Sequence, residues 1–185
     1  MTVTAIRLAL RGRSSGVEFR RACIGDLPQV QALYQAVVSE MQRSGLAIWD
    51  QIYPAAVLPE DIRMGRLCLL EGEDGVQAAF ALCPWLAEED GMGWTEPQAE
   101  ACCLERLAVV PKRWGGGLGT TALRAAERGA KEAGARYLRL FVVDTNVPAV
   151  KLYQRCGFYQ VDGLHRQVVD ESLTLWEYGF EKAIK

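Results

Sequence analysis

The stretch "VVPKRWGGGLGTTAL", Val109 to Leu123, decides the reading of this chain. An apolar run ends at Pro111, four glycines fill five positions from Gly115 to Gly119, and a helix-forming segment follows. A helix N-terminus offers unpaired backbone N–H groups and the positive end of the helix dipole. Glycines ahead of it let the backbone curl into a concave nest with no side chain in the way, and a phosphate or pyrophosphate suits such a nest. Taken alone, the loop leaves a purely structural glycine turn open. A P-loop is disfavoured, because it needs a lysine before its Ser or Thr, whereas Gly119 runs straight into Thr120 and Thr121. A dinucleotide fingerprint fails on length. Gly117, Gly119 and Ala122 satisfy G-x-G-x-x-A, and Asp144 ends a later strand as a ribose-binding acid would. However, "PKRWG" separates strand from glycines, and the roughly 40 residues after Asp144 cannot complete a doubly wound sheet.

The rest of the chain sets bounds. Its 185 residues favour a single domain with a sizeable core. The formal net charge is −2 and no lysine or arginine stripe stands out, so nucleic acid is not expected as a partner. No apolar run reaches roughly 18 residues, so neither a membrane span nor a membrane partner is expected. Arg7, Arg11 and Arg13 are not followed by the apolar core of a signal peptide, which points to the cytoplasm. The six cysteines form no CxxC pair and the chain has one histidine, His165, so no metal site is expected. Buried free thiols in a reducing compartment are the expectation.

Residues 1–16 read as a flexible or accessory arm, because "ALRGRSSG" is polar and turn-forming, and residues 17–185 read as the domain. "VEFRRA" alternates as a first strand. Asp26 is placed to cap a helix with Pro28 just inside it, and Leu27, Val30, Leu33, Tyr34, Val37, Val38 and Met41 recur at helical spacing. A short helix is expected over Pro59–Met64, then a hairpin from "RLCLLEG" and "VQAAFALCPWLA", and a strand in "ACCLERLAVV". A helix over about Leu118–Ala133 carries small residues at Ala122, Ala125, Gly129 and Ala133. Strand "RYLRLFVV", a helix capped by Asn146, and strands in "FYQVDG" and "SLTLWEYGFEK" complete the order. Early antiparallel hairpins followed by one crossover predict a mixed α/β (α+β) architecture, a mostly antiparallel sheet with helices on both faces.

From Leu107 to Val161 the chain resembles the GNAT superfamily of acetyl-CoA-dependent N-acetyltransferases. Leu107 to Val110 match its strand, Gly117-Leu118-Gly119 the end of its (Arg/Gln)-x-x-G-x-(Gly/Ala) loop, Asn146 its asparagine, and Leu152, Tyr153, Gly157 and Phe158 its last element. The resemblance implies a GNAT-like sheet whose parallel strands, "LAVV" and "LRLFVV", splay apart to admit acetyl-CoA as cosubstrate. It implies that backbone N–H groups of Gly115, Gly116, Gly117, Leu118, Gly119 and Thr120 hold the pyrophosphate. The strand at Ala108, Val109 and Val110 would pair with the pantetheine arm, and an N–H at Val109 or Val110 would serve the oxyanion. Asn146 either contacts the cofactor or caps its helix. Trp114 stands where relatives carry Arg or Gln, which puts an indole beside the cofactor unless the loop shifts by one residue onto Arg113.

The reaction so implied is direct attack of a primary amine, of a small molecule or a peptide N-terminus, on the thioester. It needs a base, an oxyanion donor and an acid for the thiolate. Tyr153 matches the tyrosine that serves as acid in such enzymes, and a phenol with a pKa near 10 suits that task. Where many relatives carry a carboxylate five residues before the asparagine, this chain has Phe141, which takes no proton. Glu105 is the substitute base; pairing of Glu105 with Arg106 or Arg136, or a water chain, are the alternatives. Trp49 and Tyr53 follow the first helix, where relatives build the acceptor wall, though Trp49 equally suits the core. The acidic residues of "WLAEEDGMGW" read chiefly as a solvated loop. Cys102 and Cys103 have no histidine near them in sequence and read as packing groups. His165 reads as a surface or β-edge residue without a partner. A homodimer is compatible with this reading. The competing reading is an acyl-CoA-binding sensor without turnover.

Overall fold

The computed structural model describes residues 16–46, 48–50, 53–85, 91–168 and 174–184. The N-terminal arm and the acidic run 88–90 therefore lie outside the described residues. In chain order the elements are β1 (Glu18–Arg21), α1 (Leu27–Arg43), α2 (Leu58–Arg63), β2 (Leu67–Gly72), β3 (Gly75–Pro84) and β4 (Ala101–Val109). There follow α3 (Leu118–Glu132), β5 (Tyr137–Val143), α4 (Val147–Arg155), β6 (Tyr159–Gln160), β7 (His165–Val168) and β8 (Thr174–Ala183). The strands form one sheet in the order β1-β2-β3-β4-β5-β8-β6, with β7 also on β8. Every pairing is antiparallel except β4 with β5, so the mixed, mostly antiparallel sheet is as expected. The polar strand β7, "HRQV", is an addition to the predicted order, because it lacks the apolar alternation by which a strand is recognised.

The parallel pair positions everything else. Ala101, Cys102 and Cys103 oppose Tyr137, Leu138 and Arg139, and the ladder ends there. Beyond Cys103 and Arg139 the two strands part, leaving a gap between the second half of each. On one face α3 and α4 cover the sheet through Leu118, Ala122, Leu123, Ala125, Ala126, Ala130 and Tyr153. A Cβ at Gly129 would lie 2.8 Å from Leu82 Cδ1, so the helix approaches β3 more closely than any side chain permits. Ala133, expected on this small-residue face, is exposed at the helix end. On the other face α1 buries Val30, Leu33, Tyr34, Val37 and Val38, as their spacing predicts.

Asp26 does not cap α1 with its side chain. Its carboxylate accepts instead from the Arg20 guanidinium at 2.7 Å through both oxygens, and from the Cys23 backbone N–H at 2.7 Å. A bidentate cation outcompetes a neutral amide for a carboxylate, and here it ties β1 to the start of α1.

Strand β4 carries a bulge opposite the Ala79–Ala81 segment of β3, and within it Arg106 has φ +54°. That backbone is strained for a residue with a side chain. Its consequence is a change of parity: Cys102 and Leu104 face α3, and after the bulge Leu107 and Val109 do so in place of 106 and 108. Three neighbours hold the bulge. The Tyr34 hydroxyl donates to the Arg106 carbonyl at 2.7 Å, Asp61 of α2 lies 2.7 Å from the buried guanidinium, and Glu105 also pairs with it. Burial opposes ionisation of Asp61 and raises its pKa, an effect the Arg106 charge offsets only in part.

A second buried pair, Arg139 on β5 and Glu181 on β8, is 3.1 Å apart with both side chains fully buried. Trp85 and Trp94 each lie 5.1 Å from the guanidinium, and Glu181 also accepts from the Thr95 N–H at 2.7 Å. This cluster sits at Arg139, the last residue of β5 that pairs with β4.

Candidate active site

The loop ahead of α3 forms the predicted nest. Gly115 and Gly117 have φ of +74° and +83°, conformations that only glycine adopts freely. The N–H groups of Leu118, Gly119 and Thr120, in the first turn of α3, have no acceptor within the helix. No acidic side chain stands in that turn to oppose an anion. Gly116 departs from expectation: its N–H donates to the Arg113 carbonyl at 3.1 Å and is already engaged in the loop. Gly119 has a packing reason as well, since a Cβ there would lie 2.9 Å from Leu152 of α4. Left-handed glycines and free first-turn amides together suit an anion such as a pyrophosphate.

The end of β4 narrows the expected contacts further. Val110 donates its N–H to the Gln77 carbonyl at 2.9 Å, and Ala108 pairs with Ala79, so both turn their backbones toward β3. Backbone groups alternate along a strand, which leaves Val109 facing the gap. Val110 is thus removed as an oxyanion donor, and the Val109 N–H remains. The Val109 carbonyl accepts from the Trp114 indole at 2.7 Å. Trp114 itself is half-exposed beside the glycines.

Tyr153 projects from α4 into the same face as Leu104, Leu138 and Leu140, with the Phe158 and Phe180 rings at 5.9 and 6.2 Å. Burial pushes its phenol well above the ordinary tyrosine range, with the Cys103 thiol of β4 adding to the effect. Such a group stays protonated at neutral pH. The asparagine alternative resolves toward the cap: Asn146 Oδ1 accepts from the Ala149 N–H at 3.3 Å at the start of α4.

The opposite face gathers groups that sequence spacing did not bring together. Glu105 pairs with Arg106, while Arg136 pairs with Glu96. Tyr53 is partly exposed. Burial raises its pKa, the Arg106 guanidinium bonded to it opposes this, and Glu105 and Glu177 both act on it, so the four groups share one region. Trp49 lies 5.7 Å from the Tyr34 ring and packs against the α1 cluster, so its core role is the one observed. His165 does have partners: its Nδ1 is 3.0 Å from Glu177 Oε2, and its ring lies 4.5 Å from that of Phe141. A cleft of about 400 Å³ lined by Leu46, Ile48, Thr145, Pro148 and Leu175 opens beside the start of β8.

Cys102 and Cys103 are buried free thiols, as are Cys68 and Cys83, whereas Cys23 is exposed and Cys156 half-buried. Burial raises the Cys102 and Cys103 thiols, which keeps them protonated and unreactive. Among the described residues no cluster of metal-ligating side chains occurs, and no helix is long and apolar enough to cross a membrane.

Sequence reading named Arg106 as a partner for Glu105 but missed the bulge at that position, and it missed the His165–Glu177 pair. Leu104 and Leu107 stand three apart in an otherwise alternating strand, with two charges between, and that interruption is the signal of a bulge. The pair had no such signal, because it forms across strands whose register the sequence does not fix.

The profile of the acetyltransferase (GNAT) family matches residues 31–158. Streptothricin acetyltransferase of Streptomyces lavendulae is 30% identical over 157 residues, 78% of this chain and 82% of that protein. Among solved structures, a GNAT-family acetyltransferase from Streptococcus agalactiae superposes with a TM-score of 0.75 at 18% identity, covering 92% of this chain and 97% of its own. An acetyltransferase from Salmonella typhimurium, solved with acetyl-CoA, gives 0.64 at 18% identity, covering 92% and 95%. The chain belongs to the GNAT family of acetyltransferases. It is an acyltransferase whose cosubstrate is acetyl-CoA.

Proposed function

We propose that this enzyme transfers the acetyl group to a basic primary amine, of a small molecule or a peptide N-terminus, and that residues 17–185 act as one domain. The observation that carries this reading is the gap between β4 and β5. Tyr153 packs on the α3–α4 face of these strands with Leu104 and Leu140, and Glu105 and Glu177 alternate onto the other face. A thioester lying in the gap would meet a proton donor on one side and an amine drawn by two carboxylates on the other. The relative named for streptothricin supports an antibiotic amine as the first acceptor to try.

Acetyl-CoA supplies the activated acetyl group, and this chain's residues do the rest. First-turn amides of α3 with the glycine loop hold the pyrophosphate, and Val109 presents its N–H to the oxygen that gains charge. Trp114 forms the wall beside the arm. Glu105, next to Tyr53, meets the incoming ammonium, and Tyr153 gives its proton to the departing sulfur. Glu105 already has the Arg106 guanidinium as its partner, so its contribution is chiefly attraction of the ammonium.

Thiol release from acetyl-CoA with streptothricin, lysine and a short peptide with a free N-terminus tests the reading. Release that depends on at least one amine and matches acetylated product supports it. Release at the same rate with and without every amine overturns it.

A further inference from the structure

We propose that His165, oriented by Glu177, is the base that takes the proton from the acceptor ammonium, supplying the function that Phe141 cannot. This rests on the amine-acetyltransferase reading and names a catalytic residue within it.

Phe141 lies two residues beyond Arg139, the last residue of β5 that pairs with β4, so it stands where the strands first part. Its ring faces the same side as Trp85 and Trp94, at 6.0 and 5.6 Å. Over it, 4.5 Å away and tilted by 33°, lies the imidazole of His165. A titratable ring thus occupies the space above a position that cannot itself titrate. His165 belongs to β7, whose register places it directly opposite Glu177 of β8. Glu177 in turn opposes Val143, the last residue of β5. These two pairings set His165 on the second strand beyond β5, and from there its ring reaches Phe141 of β5, which borders the gap.

The chemistry follows from the contact. His165 Nδ1 meets Glu177 Oε2 at 3.0 Å, and a carboxylate there holds the proton on Nδ1 and leaves Nε2 bare as an acceptor. The His165 side chain keeps 34% of its surface exposed while that of Glu177 keeps 13%, so the base is reachable and its support is enclosed. Burial raises the Glu177 pKa and the hydrogen bond from His165 opposes that, as expected of a carboxylate that depends on its imidazole. Among the described residues, Tyr53 after α1 and Glu105 and Arg106 on β4 also act in this region, together with Glu177. Glu105 has a permanent cation as partner; Glu177 has one that exchanges its proton.

The proton balance closes. The ammonium gives one proton to Nε2, and the free amine lone pair forms the C–N bond as the C–S bond breaks. Tyr153 protonates the thiolate and regains a proton from the nitrogen through solvent, leaving one hydrogen on the amide. His165 releases its proton to water.

Two measurements test this. The chain has one histidine, so ring-nitrogen NMR reads its tautomer without assignment. The wild type is expected to carry the neutral-state proton on Nδ1, and Glu177→Gln to lose that bias. A wild type with the proton on Nε2 overturns the proposal whether or not any amine turns over. In parallel, kcat/KM for streptothricin acetylation is followed against pH. His165→Gln is expected to fall about 100-fold or more and to lose the rising limb of the wild-type profile, with partial rescue by added imidazole and unchanged acetyl-CoA affinity. A His165→Gln enzyme with the wild-type rate and profile overturns the base while leaving the acetyltransferase reading intact. A wild type with no amine-dependent release would instead strike that reading.

Discussion

The indole N–H of Trp114 donates to the carbonyl of Val109 at 2.7 Å, joining the glycine loop to the last residue of β4. The bond spans the two parts of the proposed cofactor site, the glycine loop and the strand edge. It also uses the one carbonyl among residues 108–110 that turns toward the gap. Trp114→Phe keeps an aromatic wall but removes the donor, at a cost of about 1 kcal/mol. Calorimetric titration with CoA should therefore show a loss of roughly fivefold in affinity. Trp114→Arg restores a donor and should recover most of it. Equal affinity in all three proteins would show that the bond does not shape the site.

Thr120 is the third residue of α3, where an acidic side chain suits the helix dipole. Thr120→Asp should leave the melting temperature unchanged or slightly higher, yet weaken CoA binding about tenfold or more by opposing the pyrophosphate. Undiminished binding would remove the pyrophosphate from this turn. Gly119 is the poorer probe, because Leu152 fills the space that any side chain there would need.

The bulge at Arg106 hangs on the Tyr34 hydroxyl, which donates to its carbonyl from the buried face of α1. Tyr34→Phe leaves that carbonyl without its partner and should cost about 1–3 kcal/mol in chemical denaturation. Because the bulge sets which residues of β4 face the gap, the acetyl-CoA KM should rise as well. A variant with lowered stability and unchanged KM would confine Tyr34 to packing.

These cases show what the sequence carries and what it does not. Local signals were legible: the left-handed glycines, the small-residue face of α3, the Asn146 cap and the apolar stripe of α1 all follow from short-range chemistry. Asp26 illustrates the limit, since its capping position is correct but Arg20 claims its carboxylate from another element. "RYLRLFVV" reads as a buried strand, but what lets it bury the charge of Arg139 is not local: Glu181 and two tryptophans arrive from distant segments. The proposed cofactor side comes from one contiguous stretch, whose motif is legible in the sequence. The proposed acceptor side draws on β4, β5, β7, β8 and the segment after α1, and only the sheet register unites them.

The Arg139–Glu181 pair also sets a pH response. Burial opposes ionisation of Glu181, but hydrogen bonds from Thr95, Tyr159 and Arg139 hold its pKa below the ordinary 4.5. A depressed carboxylate stabilises the fold fully above its unfolded pKa, and that contribution is lost as pH falls through the folded value. Wild-type stability should thus decline below about pH 4.5. Glu181→Gln should be less stable at neutral pH by roughly 3–5 kcal/mol, since Arg139 is left buried without its counter-charge, and should show a shallower acid slope. Urea denaturation at pH 7 and pH 4 checks both, and parallel slopes would remove Glu181 from the acid response.

Tyr153 tests the central claim most directly. Wild type and Tyr153→Phe are compared for acetyl-CoA affinity by calorimetry and for acetylation of streptothricin by product mass. The wild type should add an acetyl group with one thiol released per product. Tyr153→Phe should bind acetyl-CoA within about twofold of wild type while kcat falls roughly 100- to 10,000-fold. A wild type that releases thiol without forming an acetylated amine, with any of the acceptors tried, would contradict amine acetylation; a Tyr153→Phe enzyme with unchanged kcat would contradict the acid role in the gap between β4 and β5.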